Sequence, residues 1–305
     1  MPAAGAVTSP VSARALHRLF LIACSALLLV GCGPRFAYSQ LDWLLPWYLR
    51  DYVTLDAGQR GEFDRRLAGL LDWHCRSHLP EYVALLRAAN ATLAAERVEP
   101  AQLERFLERG EALWREIVGE LEPELRRLAA GLGDEQVEEL AAAFVRRGEE
   151  ARAEFLSGDE SAQHAARVER MEERLRRWFG RMTPAQRERI AAWSRALQPT
   201  TEAWLEDRAR WQAELLDALR VRADAAAFAP RLAQALAPRE ARWSAQHRAA
   251  VAHNRARTLE LLAELHALSS AAQRRQLRDE IDMLATQFAG ISCAEPARVS
   301  AAGGR

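Results

Sequence analysis

The sequence predicts an all-α fold, an irregular multi-helix bundle with no β-sheet, and three observations support this prediction. Apolar residues recur at steps of three and four between charged ones, as in the run Leu103, Phe106, Leu107, Leu113, Ile117 and Leu121. This spacing puts them on one helical face, whereas strand-like alternation is hard to find. Glycine is scarce, at 16 of 305 residues, while alanine-rich segments suit helix interiors. Capping signals, the third observation, mark where helices begin.

The clearest helix start is Thr183-Pro184-Ala185-Gln186. It combines a hydroxyl N-cap, a proline at the first helical position and a glutamine able to reach back to the backbone N–H of the cap. The same spacing recurs, in stronger or weaker form, at Asp56/Gln59, Glu99/Gln102, Gly133/Gln136 and Ser270/Gln273. The gaps between these starts follow no fixed period, so a solenoid of repeats is not predicted.

These signals define the helices in chain order. We predict helices at residues 40–53, 56–78, 80–95, 100–130, 134–156, 160–179, 184–197, 200–220, 223–236, 239–267 and 270–290. Pro46 and Pro123 fall inside two of them and are expected to kink or split them, because proline lacks the backbone donor. The long helices 100–130 and 239–267 are expected to form the frame. A break near residue 199 would divide the domain into two subdomains.

The first thirty-one residues have the form of a secretory signal. They contain no acidic residue and two arginines, Arg14 and Arg18, followed by the apolar run Leu19 to Val30. Twelve residues are too few for a membrane span, which needs roughly 20. A basic segment followed by a short apolar segment is typical of an exported protein.

The end of that run, Leu29-Val30-Gly31-Cys32, resembles the lipobox of bacterial lipoproteins. The resemblance implies cleavage before Cys32 and attachment of fatty chains such as palmitate to this cysteine. Two or three chains anchor a protein durably. Gly33 after the cysteine implies sorting to the outer membrane rather than retention in the inner one, with the domain facing the periplasm. The predicted organisation is a signal peptide (1–31), a lipidated linker (32–37), a helical periplasmic domain (38–293) and a flexible tail (294–305).

Charge and cysteine content limit the classes of partner and cofactor. The 42 basic and 42 acidic residues are interleaved, which argues against nucleic acid as a partner because nucleic-acid binding needs a basic face. Cys75 and Cys293 remain in the mature chain and form a candidate disulfide in an oxidising compartment. Alternatively, His74, Cys75 and His78 lie near one helical face and could bind a soft metal. We predict no metal site and no cofactor.

Aromatic residues concentrate close to Cys32. All four tyrosines and three of the nine tryptophans lie between residues 38 and 82. Three interpretations are open: the segment Leu41 to Leu49 is the most buried part of the core, the aromatic side chains line a binding groove, or they lie among lipid headgroups. The candidate groove residues are Tyr38, Trp43, Trp47, Tyr48, Trp73, His74 and Tyr82.

Two resemblances involve these motifs. The segment Tyr38–Tyr82, with Leu41-Asp42-Trp43, Trp47-Tyr48-Leu49 and Trp73-His74, resembles the opening of an uncharacterised family of proteobacterial helical lipoproteins, which has no established activity. More distantly, Met182-Thr183-Pro184-Ala185-Gln186 resembles the Leu-Thr-x-x-Gln helix starts of small periplasmic stress chaperones. These chaperones are helical and bind exposed hydrophobic segments.

No named catalytic signature is present, and the acidic residues are spread evenly, so no catalytic residue is predicted. The leading hypothesis is a non-enzymatic binding or scaffold module of the cell envelope. Its partners would be the membrane, through the lipid anchor, and an envelope protein or an apolar peptide or lipid. The competing hypotheses are an envelope enzyme acting on peptidoglycan or lipid, and a purely structural spacer.

Overall fold

The computed structural model describes residues 34–293, and every regular element in that range is a helix. The expected signal peptide (1–31), the candidate acylation site Cys32 and the expected tail (294–305) lie outside the described residues. The α-helices are α1 (Pro34–Ser39), α2 (Leu41–Leu49), α3 (Ala57–Ser77), α4 (Leu79–Thr92), α5 (Pro100–Ala130), α6 (Asp134–Leu156), α7 (Glu160–Phe179), α8 (Pro184–Ala196), α9 (Thr201–Arg220), α10 (Ala225–Leu236), α11 (Ala245–Ala267) and α12 (Ala271–Ala289).

The all-α prediction is confirmed for the described residues, with three differences in detail. The predicted helix 239–267 is divided, because a 3₁₀ helix (Arg239–Arg242) precedes α11 and the Ser244 side chain caps α11 by accepting from the His247 backbone N–H. Helix α1 occupies part of the segment expected to be a linker. Pro46 and Pro123 split neither α2 nor α5. Pro46 is buried, and packing offsets the missing backbone hydrogen bond.

Two hydrophobic cores hold the helices together. The first brings α6, α9 and α10 against the loop residues Val53 and Leu132. The second brings together α7, α8, α11 and α12 around Ile190 and Leu265, which are fully buried. Each core contains helices from before and after residue 199. A break in the chain at that position therefore does not coincide with a boundary between the two cores.

Each core is accompanied by a reciprocal pair of glutamines from two capping boxes. Gln59 at the start of α3 and Gln136 at the start of α6 exchange amide hydrogen bonds, with N–O distances of 2.9 and 2.6 Å. The oxygen of each side chain also accepts from the backbone N–H of its own cap, at 2.9 and 2.8 Å. The second hydrogen of each amide is donated to the carbonyl of Gly131 or Thr54. All donors and lone pairs of both amides are therefore in use.

The starts of α8 and α12 repeat this arrangement in the second core. Gln186 and Gln273 exchange amide hydrogen bonds at 3.3 and 3.0 Å, and each oxygen accepts from its own cap, Thr183 or Ser270. Gln186 has no exposed surface and Gln273 is 8% exposed. The two pairs join helix starts that lie 77 and 87 residues apart in the chain.

We expect Gln186→Glu to lower the free energy of unfolding by about 2 kcal/mol or more, because a carboxylate cannot donate and would face buried acceptors. Gln136→Glu, in the less buried pair, should cost less, and Gln234→Glu on the exposed side of α10 should have little effect. Urea unfolding followed by circular dichroism measures all three. Equal stability of the Gln186→Glu and Gln234→Glu variants would contradict the role of the pair.

Candidate functional site

An apolar groove of about 570 Å³ opens between α2, α3 and α5. The end of α2 forms one wall, the first two thirds of α3 form the second, and the last third of α5 forms the third. The apolar lining residues are Leu45, Tyr48, Leu49, Tyr52, Phe63, Leu67, Leu70, Leu121, Leu125 and Leu128. The volume falls within the range typical of small-molecule pockets.

The charged residues at this groove form ion pairs among themselves. Arg66 lies between two carboxylates: it contacts Glu62, and its Nη1 donates to Oε2 of Glu124 at 2.9 Å. Arg127 Nη1 contacts the other oxygen of Glu124 at 2.6 Å. Hydrogen bonds from Arg65 and Arg66 lower the pKa of Glu62, which keeps it ionised. A general acid needs the opposite shift, so Glu62 is unsuited to that role.

The aromatic helix α2 is mostly exposed. Trp43 is 60% exposed, Trp47 46% and Tyr48 51%, and only Pro46 is fully buried among the residues of α2. The expectation that Leu41 to Leu49 forms the most buried part of the core is therefore wrong. The physical cause of this exposure is that α2 has apolar residues on all sides, so burying one side leaves another apolar side exposed.

Three further candidate residues form a hydrogen-bonded cluster away from the groove. The Tyr38 hydroxyl donates to the Leu71 carbonyl at 3.1 Å and lies 3.0 Å from Nδ1 of His74. Nε2 of His74 lies 3.1 Å from the Tyr82 hydroxyl. The cluster connects α1, α3 and α4, and Tyr82 also packs on Phe288 of α12. Its role in the fold is to hold α1 against α3 and α4.

The surroundings of this cluster favour a neutral His74. Because Tyr38 uses its hydrogen on the Leu71 carbonyl, Nδ1 of His74 donates to the Tyr38 oxygen, while Nε2 pairs with the Tyr82 hydroxyl. Burial lowers the pKa of His74, and the nearby His78 lowers it further. Burial raises the pKa of Tyr38 to about 12, with added contributions from Tyr82 and Asp72.

Cys75 and Cys293 are joined by a disulfide, with their Cα atoms 5.6 Å apart. Cys75 therefore has no thiolate to offer, and both ring nitrogens of His74 contact tyrosine hydroxyls, which is incompatible with the alternative metal site at His74, Cys75 and His78. Between residues 34 and 293, no group of three or more His, Cys, Asp or Glu side chains is arranged to hold a metal. His78 is buried, against Trp73 and 3.6 Å from Glu116.

The seven candidate groove residues are thus distributed over three places. Tyr48 alone lines the groove, Trp43 and Trp47 lie on the exposed face of α2, and the remaining four, Tyr38, Trp73, His74 and Tyr82, pack among α1, α3 and α4. Sequence reasoning missed the leucines that α5 contributes. Leu121, Leu125 and Leu128 recur at steps of four and three, and this spacing was the available signal.

Along the part of the chain that the structure describes, no helix combines the length and the apolar character needed to cross a bilayer.

We expect the melting temperature to fall as the pH is lowered from about 7.5 to about 5.5. Burial lowers the pKa of both His74 and His266 in the folded protein. The unfolded chain therefore takes up protons first, and stabilisation present above the ordinary histidine pKa is lost as the pH falls below it. His74→Gln should reduce this pH dependence in thermal melts. A pH slope unchanged by His74→Gln would refute the assignment.

Comparison with known proteins gives one match. The model of a family of unknown function, DUF6279, matches residues 51–248. This segment contains the α3 and α5 walls of the groove, while α2 precedes it. No curated protein and no solved structure matches the chain. Since the family model covers more than half of the sequence, the chain belongs to the DUF6279 family of unknown function.

Proposed function

We propose that this protein is a lipid-anchored lipoprotein of the bacterial outer membrane that acts in the periplasm as a non-enzymatic binding module. Its binding site would be the groove between α2, α3 and α5. The observation that carries the proposal is that groove: about 570 Å³ of open, leucine-lined space, separate from the two packed hydrophobic cores.

The chemistry of the groove favours an uncharged, apolar ligand. Its walls are leucine, phenylalanine and tyrosine, and the hydroxyls of Tyr48 and Tyr52 lie 3.1 Å from each other. The charged groups beside it form ion pairs among themselves, so recognising a charged ligand would mean breaking those pairs. An acyl chain or the apolar side chains of a peptide would bury leucine surface at roughly 25 cal/mol per Å².

The sequence around Cys32 supports the anchor. The lipobox-like Leu29-Val30-Gly31-Cys32 ends the apolar run of the expected signal peptide, and Cys32 lies two residues before α1. A domain tethered so closely would keep α2 near the bilayer.

Leu125→Arg should abolish most binding of Nile red, a neutral apolar dye, because it places a cation in the groove wall. Leu107→Arg is the matched control on the same helix, since Leu107 is 41% exposed and Leu125 43%. Wild type and Leu107→Arg should enhance dye emission similarly, and Leu125→Arg should reduce the affinity at least tenfold, about 1.4 kcal/mol. Equal binding by both variants would rule out the groove as the site.

The anchor is tested by the mass of the mature protein purified from the membrane fraction. We expect a chain that begins at Cys32 and carries the added mass of two or three acyl chains. The Cys32→Ser variant should remain unprocessed and lack this adduct, since a hydroxyl cannot replace the thiol in the thioether. Normal processing of Cys32→Ser, or an unmodified native chain, would be incompatible with the proposed placement.

A further inference from the structure

The segment that follows Cys32 exposes an unusual amount of aromatic and aliphatic surface. The exposed side chains of α1 and α2 are Phe36 (51%), Trp43 (60%), Leu44 (38%), Leu45 (38%), Trp47 (46%) and Tyr48 (51%). Exposed aromatic residues in such a cluster mark an interaction surface. We call the surface formed by Trp43, Leu44 and Trp47 the aromatic face.

The aromatic face lies on the side of α2 away from the groove-lining leucines. Trp43 and Trp47 are one turn apart, and their rings stack with centroids 6.3 Å apart. Leu45 and Leu49, which line the groove, lie two positions further along and thus about 200° around the helix. Asp42 is the only charged residue within α2. The helix therefore presents two apolar sides, one to the groove and one outward.

We propose that the aromatic face of α2 lies in the headgroup region of the lipid bilayer to which Cys32 anchors the chain. This inference rests on the lipid anchor of the proposed function and adds a second contact. Helix α2 begins nine residues after Cys32, and six of the intervening positions form α1. Such a segment spans about 20 Å at most, which keeps α2 beside the anchoring membrane.

The composition of the face fits a bilayer surface. Tryptophan and tyrosine concentrate at membrane interfaces, where the apolar ring meets the acyl region and the N–H or O–H meets water. Within α2 no charged residue lies on this face, and Arg50 follows at the C-cap. Because acyl chains already supply durable attachment, the contact of α2 would determine orientation: it would hold the groove, built on the same helix, at the membrane surface.

Fluorescence quenching by brominated lipid tests this contact. The mature, acylated protein is reconstituted into vesicles of phosphatidylethanolamine and phosphatidylglycerol that carry bromine at shallow acyl positions. We expect quenching of tryptophan emission in the wild type, and loss of most of it in Trp43→Phe/Trp47→Phe. Trp114→Phe is the matched control, because Trp114 on α5 is 62% exposed. It should retain the quenching.

The outcomes separate this contact from the anchor and from the groove. Quenching that survives Trp43→Phe/Trp47→Phe, or that disappears in Trp114→Phe, overturns the contact. If the emission of Trp43 and Trp47 shifts with protein concentration in the absence of lipid, the aromatic face binds a second copy of the chain. This outcome also overturns the membrane contact. An unmodified Cys32 overturns anchor and contact together. Retained Nile red binding in the double variant shows that the fold and groove are intact.

Discussion

The reciprocal glutamine pairs are the constraint on which the arrangement of helices depends. A capping glutamine ordinarily serves only its own helix, by accepting from the backbone N–H of the cap. Here the amide of Gln59 also pairs with that of Gln136, and Gln186 with Gln273. Each pair fixes the starts of two helices relative to each other. Because every donor and acceptor of the Gln59–Gln136 pair is in use, a shift of either helix would leave polar groups unpaired.

Helix α2 presents two apolar sides, and this property connects the groove with the membrane hypothesis. The leucines on one side of α2 complete the groove, and the tryptophans on the other side remain exposed. A surface helix normally has one polar side. The departure from that pattern is what distinguishes α2 from the other helices near the groove. A ligand in the groove and a contact on the aromatic face would therefore act on the two sides of one short helix.

Local features were predictable from sequence and tertiary ones were not. The bounds of α5, α6 and α7 follow from caps and apolar spacing, which involve neighbouring residues only. The start of α11 was missed because His247 stands where the other boxes have glutamine. The exposure of Trp43 and Trp47 was unpredictable, since apolar composition indicates burial without saying which side finds a partner. The groove forms only when three helices come together in the fold, so local sequence patterns could not predict it. Only Tyr48 among the candidate residues lines the groove.

The disulfide between Cys75 and Cys293 has a consequence for how the molecule withstands damage. It links two residues 218 positions apart, so nearly the whole helical domain forms a covalently closed ring. A protease that cuts once in any loop within the ring would open the circle and release no fragment. The nicked molecule would keep both ends attached, with its helices still held by the two cores. Wherever proteases reach the molecule, such a ring preserves the protein after a break in its backbone.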